Sequence, residues 1–532
     1  MAKAMHHDVI VVGAGFAGLY GVYRLRNDGW DVLGIESGSD VGGVWYHNRY
    51  PGARCDTLSV DYSYSFCEQL QQEWNWSERY ATQAEILTYI RHVADRFDLR
   101  RNFLFETRVT RLERNDETGL WSIETNAGRH CTARFVLLAT EPLSAPADPG
   151  IPGLGEFKGE LYRTSTWPHN PVSFAGKRVG VVGTGSSGVQ SIPEIARTAD
   201  HITVFQRTPA FAVPARNRRM TTDELGEIKQ RYPEYRRELR SNFTGLTMQT
   251  TGKVAAECSA PEQRRALDEI FATGSLGIVS TFTDVLFNEE ANEVVARYVR
   301  DRIRERVKDP ATAEKLVPKT YPIGTKRPCL DSGYFEVFNQ PNARLVDLNE
   351  TPIKRITETG IETSAEHINL DMIVLATGFD ALTGAILAID PVNGKGERLS
   401  EAWRDGPETY LGLASARFPN LFLISAAGGT SVFGNMVTVA EEAIDWVAQA
   451  LAWMANNGLK TIEAKSEAQD EWTRHVAEIG NTSLLPRTNS WYVGANVPGK
   501  PRSFSVYLGG LNVYTDKCRE VAANGYDGFL AS

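Results

Sequence analysis

Twice in this chain an apolar run leads straight into three glycines at the spacing GxGxxG. Val9 to Val12 enters Gly13, Gly15 and Gly18 as VIVVGAGFAG, and Val179 to Val182 enters Gly183, Gly185 and Gly188 as VGVVGTGSSG. A short apolar run before a glycine turn reads as a buried strand, and the turn opens a helix. The first glycine permits the tight turn, the second lets a diphosphate approach the backbone, and the third lets helix and strand pack closely. Amides at the helix N-terminus then face the phosphate charge. One such run is weak, because glycine turns also arise for packing alone. Two copies in the same setting predict an α/β chain with two Rossmann-like dinucleotide-binding domains.

The residues that close each unit separate the two sites. After the first turn, the strand DVLGIE ends in Glu36, a carboxylate suited to accept from an adenosine ribose, as FAD and NAD both offer. After the second, HITVFQR ends in Arg207, followed by Thr208. A guanidinium there suits a 2′-phosphate and so NADPH. The plainer alternative for Arg207 is a solvated surface charge. One flavin and one nicotinamide dinucleotide are expected.

Composition removes several other classes. The net charge of −9, from 57 basic and 66 acidic residues, argues against nucleic acid and against an anionic membrane surface. No apolar run approaches the ~18 residues of a membrane span. MAKAMHHDVIVV runs almost directly into the first strand and leaves no room for a signal peptide, so a cytoplasmic location is expected. The 6 cysteines are scattered without a CxxC pair, and the 9 histidines show no metal-binding spacing; no metal is expected.

Along the chain, 1–145 reads as the first part of an FAD-binding domain, with a helix from Leu19 to Asn27 and another from Gln83 to Phe97. Gly42, Gly43, Val44 and Trp45 make a second loop of close approach after Glu36, although Trp45 and Tyr46 also read as core aromatics. Residues 144–159, SAPADPGIPGLGEFKG, have linker chemistry. Residues 146–211 then hold this linker and the first part of an NADP-binding domain. From 212 to 324 charged helical patterns dominate, as in Ala291 to Val307, and read as a helical insertion lidding the second nucleotide domain. ARLVDL and LDMIVLATGFD complete the NADP domain over 325–382. FPNLFLIS and a helix from Thr438 to Asn456 return to the FAD domain in 383–532, which ends in a mobile C-terminal loop.

Phe157, Gly159, Trp167 and Pro168 are similar to the fingerprint FxGxxxHxxxWP of the type I Baeyer–Villiger monooxygenases. GGVWY, NRYPGARCD, GTGSSG, FQRTPAFAVPARN, GTKR, LATGFDALTG and NSWYVGANVPGKPR resemble further blocks of that family, most of all its phenylacetone and steroid monooxygenase branch. The resemblance implies conversion of a ketone and O2 to an ester or lactone through a C4a-peroxyflavin, by a monomer using FAD and NADPH. It implies that Arg327 stabilises anionic oxygen and that Asp56 orients and tunes that arginine. Lys326 would join Arg207 at the NADP 2′-phosphate, and Trp491 would close over NADP, a core tryptophan being the alternative. Further cofactor contacts implied are Ala17, Gly43, Val44, Trp45, Tyr46, Tyr50, Arg54, Cys55, Asp56, Tyr62, Val109 and Met436, with Thr184, Ser186, Ser187 and Thr208 around the second turn.

Four positions depart from the family pattern. Arg163 stands for the fingerprint histidine, Glu141 for the glycine that closes the first unit, and His47 for a tryptophan. AAGGTSVFGNM, from Ala426, replaces the loop that lines the substrate pocket. Glu141 and Arg163 are expected to form a compensating pair. These departures keep two alternatives open: a sulfur- or nitrogen-oxygenating flavoprotein, and an uncoupled NADPH oxidase or regulatory protein.

Overall fold

The computed structural model describes residues 5–430 and 433–532. β1 (Met5–Val12) buries Val9, Ile10 and Val11 completely, about 1.5–3 kcal/mol per side chain by transfer from water. It passes through the first glycine turn into α1 (Phe16–Asn27), which begins three residues earlier than the apolar pattern indicates. α1 can start there because Gly15 accepts the Leu19 amide and no side chain caps the end. β2 (Val32–Ile35) and β3 (His130–Leu138) flank β1 in parallel register. Through its first half β3 also pairs with Leu120–Thr125, antiparallel, and through its second half with Leu421–Leu423, parallel. Distant parts of the chain therefore complete one sheet.

The second sheet is wholly parallel. β4 (Arg178–Val182) runs through the second glycine turn into α2 (Ser186–Ala196), then β5 (His201–Gln206) and β6 (Met372–Leu375). Its order is Ala343–Asp347, β5, β4, β6, Glu160–Arg163. All-parallel pairing requires crossovers over the faces, and both faces are covered, so its strands are near-continuously apolar. Phe157 and Trp167 bind this edge together: a Cβ on Gly159 would fall 2.5 Å from the Phe157 ring, and Trp167 lies tilted 5.2 Å from Tyr162.

The charged stretch between the two parts of this sheet forms helices, including Ala260–Thr273 and Glu289–Arg306. Asn288 caps the latter by accepting the Ala291 amide. This segment does not lie on the second sheet alone. Arg236 and Arg240, on the helix Tyr232–Ser241, reach Ser63 and Glu441 beside the first, which supply acceptors for their guanidinium groups. The last helix of the core, α3 (Met436–Asn456), packs on α1 and starts two residues before the apolar pattern does, since Asn435 caps it. Among the described residues no helix is long and apolar enough to cross a membrane.

Candidate active site

The two glycine turns are built alike. Gly13 and Gly183 have φ of +109° and +108°, in which a side chain would be strained. A Cβ on Gly18 would fall 1.8 Å from the Gly13 carbonyl oxygen, and one on Gly188 2.2 Å from that of Gly183. Both helices begin without a side-chain cap, leaving their first amides free for an anion. Nothing lies within 4 Å of a Cβ on Gly185, so the second cradle is open where a diphosphate would lie. In the first, Gly43 backs onto Gly15, and the Glu36 carboxylate, 6 % exposed, is held by the amides of Ala14 and Gly38 at 2.7 and 2.6 Å. Its free lone pairs suit ribose hydroxyls. The residues present fit one dinucleotide in each cradle.

Between the cradles lies an ion pair. Arg327 donates from Nε and Nη2 to the two oxygens of Asp56, at 2.7 and 2.8 Å. The side chains are 29 % and 22 % exposed, so the pair is largely shielded from bulk water. Burial alone would lower the Arg327 pKa; the charge and hydrogen bonds of Asp56 outweigh it and hold the guanidinium above its ordinary value. The Tyr492 phenol also meets Arg327 and is pushed up to about 12, chiefly by burial. Cys55 and Cys329 flank the pair as neutral thiols, raised by burial to about 12 and about 11.

Each partner is delivered by a different half. Asp56 follows a loop that docks on α2: Tyr50 donates to the Gln190 side chain at 2.8 Å, and Gln190 donates to the Arg54 carbonyl at 3.0 Å. Arg327 precedes Cys329–Asp331, which pairs with Ala212–Pro214. Behind it, buried Asn292 donates to the carbonyls of Val285 and Ile323, both at 2.8 Å, and accepts the Ile323 amide at 3.0 Å. Three hydrogen bonds from one side chain thus set the approach to Arg327.

The family model of the pyridine nucleotide-disulphide oxidoreductases matches residues 10–301. The chain is 40 % identical over 529 residues, 99 % of its length and 96 % of the relative's, to the cyclopentanone 1,2-monooxygenase of Comamonas sp. (strain NCIMB 9872). It is 37 % identical to a Baeyer–Villiger monooxygenase of Pseudooceanicola batsensis, covering 98 % and 96 %, and 37 % identical to the phenazine N-monooxygenase PhzNO1 of Lysobacter antibioticus, covering 99 % and 97 %. Its structure matches that of an oxidised steroid monooxygenase bound to NADP with a TM-score of 0.95 and 46 % identity, covering 99 % of both chains. It matches OTEMO in complex with FAD and NADP with a TM-score of 0.96 and 39 % identity, covering both chains fully. The chain belongs to the Baeyer–Villiger monooxygenases. It is an FAD- and NADPH-dependent flavin monooxygenase of α/β fold.

In this monooxygenase the residues named from sequence fall into groups. Ala17, Tyr62 and Met436 line a cavity beside the first cradle, and the Trp45 indole donates to the Tyr62 phenol at 3.2 Å. Tyr46 is buried with its hydroxyl 2.7 Å from Ser39 Oγ, and Val44 opens the same short helix. Val109 lies in the apolar cluster beside Ile35. Arg54 donates to Glu78 and to the Tyr80 carbonyl, both at 2.7 Å. At the second cradle, Thr184 donates to the Thr208 carbonyl at 2.9 Å, Ser186 lies 3.5 Å from Cys329, and Ser187 meets Tyr50. Lys326 has its pKa lowered by burial and then by the charge of Arg207, which brings these two cations to one side. Trp491 lies half-buried with its ring 4.2 Å from that of Tyr492. Tyr492 escaped the sequence reading; its place directly after Trp491 was the only available signal.

The departures resolve unevenly. Glu141 and Arg163 do not pair: among the described residues Arg163 makes no ion pair, and burial alone raises the Glu141 pKa. Arg163 ends an edge strand of the second sheet, while Glu141 points into the first cradle, so the two belong to different sheets. His47 packs edge-on to Tyr46 at 4.9 Å, with its pKa lowered by burial. Ser431 and Val432, within the altered loop from Ala426, lie outside the described residues. Phe433 beyond them lies 4.7 Å from the Tyr492 ring.

Proposed function

We propose that this enzyme inserts one oxygen atom beside the carbonyl of a ketone, with Arg327 and Asp56 as its charge-bearing pair. The bidentate contact between them carries the reading. When bound, FAD would accept hydride from NADPH and activate O2. Arg327, held charged by Asp56, stabilises the negative charge on oxygen and does not give up a proton to it. Asp56 fixes the guanidinium plane and offsets the cost of burying it. Tyr492, a neutral phenol at neutral pH, fills the other side of the guanidinium and helps exclude water. Glu36 would hold a ribose of FAD, and Arg207 with Lys326 the 2′-phosphate of NADPH, while Trp491 would close over that nucleotide.

On this reading 1–145 with 383–532 form the FAD domain, 146–211 with 325–382 the NADP domain, and 212–324 the helical insertion. The enzyme would act as a cytoplasmic monomer. The test is NADPH oxidation across a panel of linear, cyclic and aromatic ketones and of amines and sulfides, with ester, heteroatom oxide and hydrogen peroxide measured together. Ester matching NADPH consumed is the expected result. Heteroatom oxide without ester, favoured by the likeness to a phenazine N-monooxygenase, would overturn the ketone assignment.

A further inference from the structure

The two nucleotide halves part company at the residue that closes each central strand. After β6 come Ala376, Thr377 and Gly378, and Gly378 has φ +85° with nothing within 4 Å of an added Cβ. After β3 come Ala139, Thr140 and Glu141, and Glu141 has φ +61°. The left-handed region costs a non-glycine residue about 1–2 kcal/mol, so its surroundings hold the glutamate there. The side chain turns inward over the first glycine turn. Its Oε1 lies 3.0 Å from where a Cβ on Gly15 would be and 3.9 Å from one on Gly43, in the space the cradle's second glycine keeps clear.

The carboxyl borders the cavity lined by Phe16, Ala17, Tyr62, Pro142 and Met436. Among the described residues it makes no hydrogen bond or ion pair. The titratable groups facing it are the phenols of Tyr62 and Tyr64, both held well above their ordinary value by burial and therefore neutral. Glu441 of α3, the nearest acid on that helix, is turned to Ser65 and Arg240. No cation from α1, from the loop at Gly43 or from α3 lines the cavity. Burial pushes the Glu141 pKa up to about 7.

A dinucleotide diphosphate is anionic and offers only acceptors along its phosphate edge. An ionised carboxylate in the same cradle would set like charges together in a poorly solvated site, whereas a neutral acid offers a donor. We propose that Glu141 is a cofactor-contacting residue of this chain, entering the FAD site as a neutral acid that donates a hydrogen bond to the bound dinucleotide, so that FAD binding takes up a proton. This rests on FAD filling the first cradle.

The sign follows from a raised carboxyl pKa. Below about pH 7 both free and FAD-bound protein carry the proton, and affinity is constant. Above it the free protein ionises while the complex stays protonated, and affinity falls by up to about tenfold per pH unit. The holoenzyme is diluted at pH values from about 6 to about 9 and released FAD is read by recovery of flavin fluorescence, for wild type, Glu141→Gln and Glu141→Gly. The expected wild-type dissociation constant is flat and then climbs above about pH 7, while both variants stay flat and retain FAD at least about tenfold more tightly at about pH 8.5. Glu141→Gln keeps the side-chain volume and reads the effect even if Glu141→Gly perturbs the turn. A flat wild-type profile, or variants that keep the wild-type slope, would overturn the proposal. Flavin absorbance of the undiluted protein reports separately whether FAD is held at all.

Discussion

Neutralising Asp56 separates the geometry of Arg327 from its charge. In wild type the guanidinium is fixed by two charge-assisted hydrogen bonds of 2.7 and 2.8 Å. Each such bond contributes about 1.5–3 kcal/mol when desolvated. With side chains 29 % and 22 % exposed, solvent screening reduces the sum to about half, or about 1.5–3 kcal/mol. At 1.36 kcal/mol per decade, Asp56→Asn should lower the rate of ester formation about 10- to 150-fold. Arg327→Lys keeps the charge but cannot engage both carboxylate oxygens, and should cost a similar factor. The assay is a double-mutant cycle on ester formation, with hydrogen peroxide followed as the uncoupled product. Because each single change removes the same fork, the double variant should be hardly worse than either single one, a coupling of at least about 1 kcal/mol. Effects that add to within about 0.5 kcal/mol, or an Asp56→Asn enzyme within threefold of wild type (about 0.65 kcal/mol), would refute the reasoning.

Gly188→Ala places a Cβ 2.2 Å from the Gly183 carbonyl oxygen and should prevent the second half from folding, read as loss of soluble protein or of the thermal transition. Gly185→Ala meets open space, so the melting temperature should hold while the KM for NADPH rises at least about tenfold. Arg207→Ala and Lys326→Ala should each raise the KM for NADPH about 10- to 100-fold and leave that for NADH nearly unchanged, since only the former carries the 2′-phosphate. Asn292→Ala strips hydrogen bonds from three buried main-chain groups and should destabilise the fold by about 3–5 kcal/mol in denaturant titration, with ester formation falling in whatever folds.

Elements governed by local rules were legible in the sequence. The glycine turns follow from apolar runs ending in glycine, and the helix expected from Gln83 to Phe97 spans Gln83–Arg96, capped by Thr82. The starts of α1 and α3 were misjudged because a glycine carbonyl and an asparagine cap, not apolar spacing, set them. The Arg327–Asp56 contact joins residues 271 apart, so only likeness to a family could bring them together on paper. The expected pairing of Glu141 with Arg163 rested on balancing charges along the chain. It failed because the two residues leave different sheets. The ion pair of Arg54 with Glu78 likewise had no local signal in the sequence.

The double use of β3 bears on how this enzyme is made. Its second half waits for Leu421–Leu423, which leave the ribosome long after the strand itself. Until then the central strand of the first sheet carries an open edge, which invites pairing with another chain. The second sheet, complete once β6 has emerged, closes earlier. Nascent chains cut short before residue 421 should therefore aggregate through the N-terminal half, although that half was synthesised first.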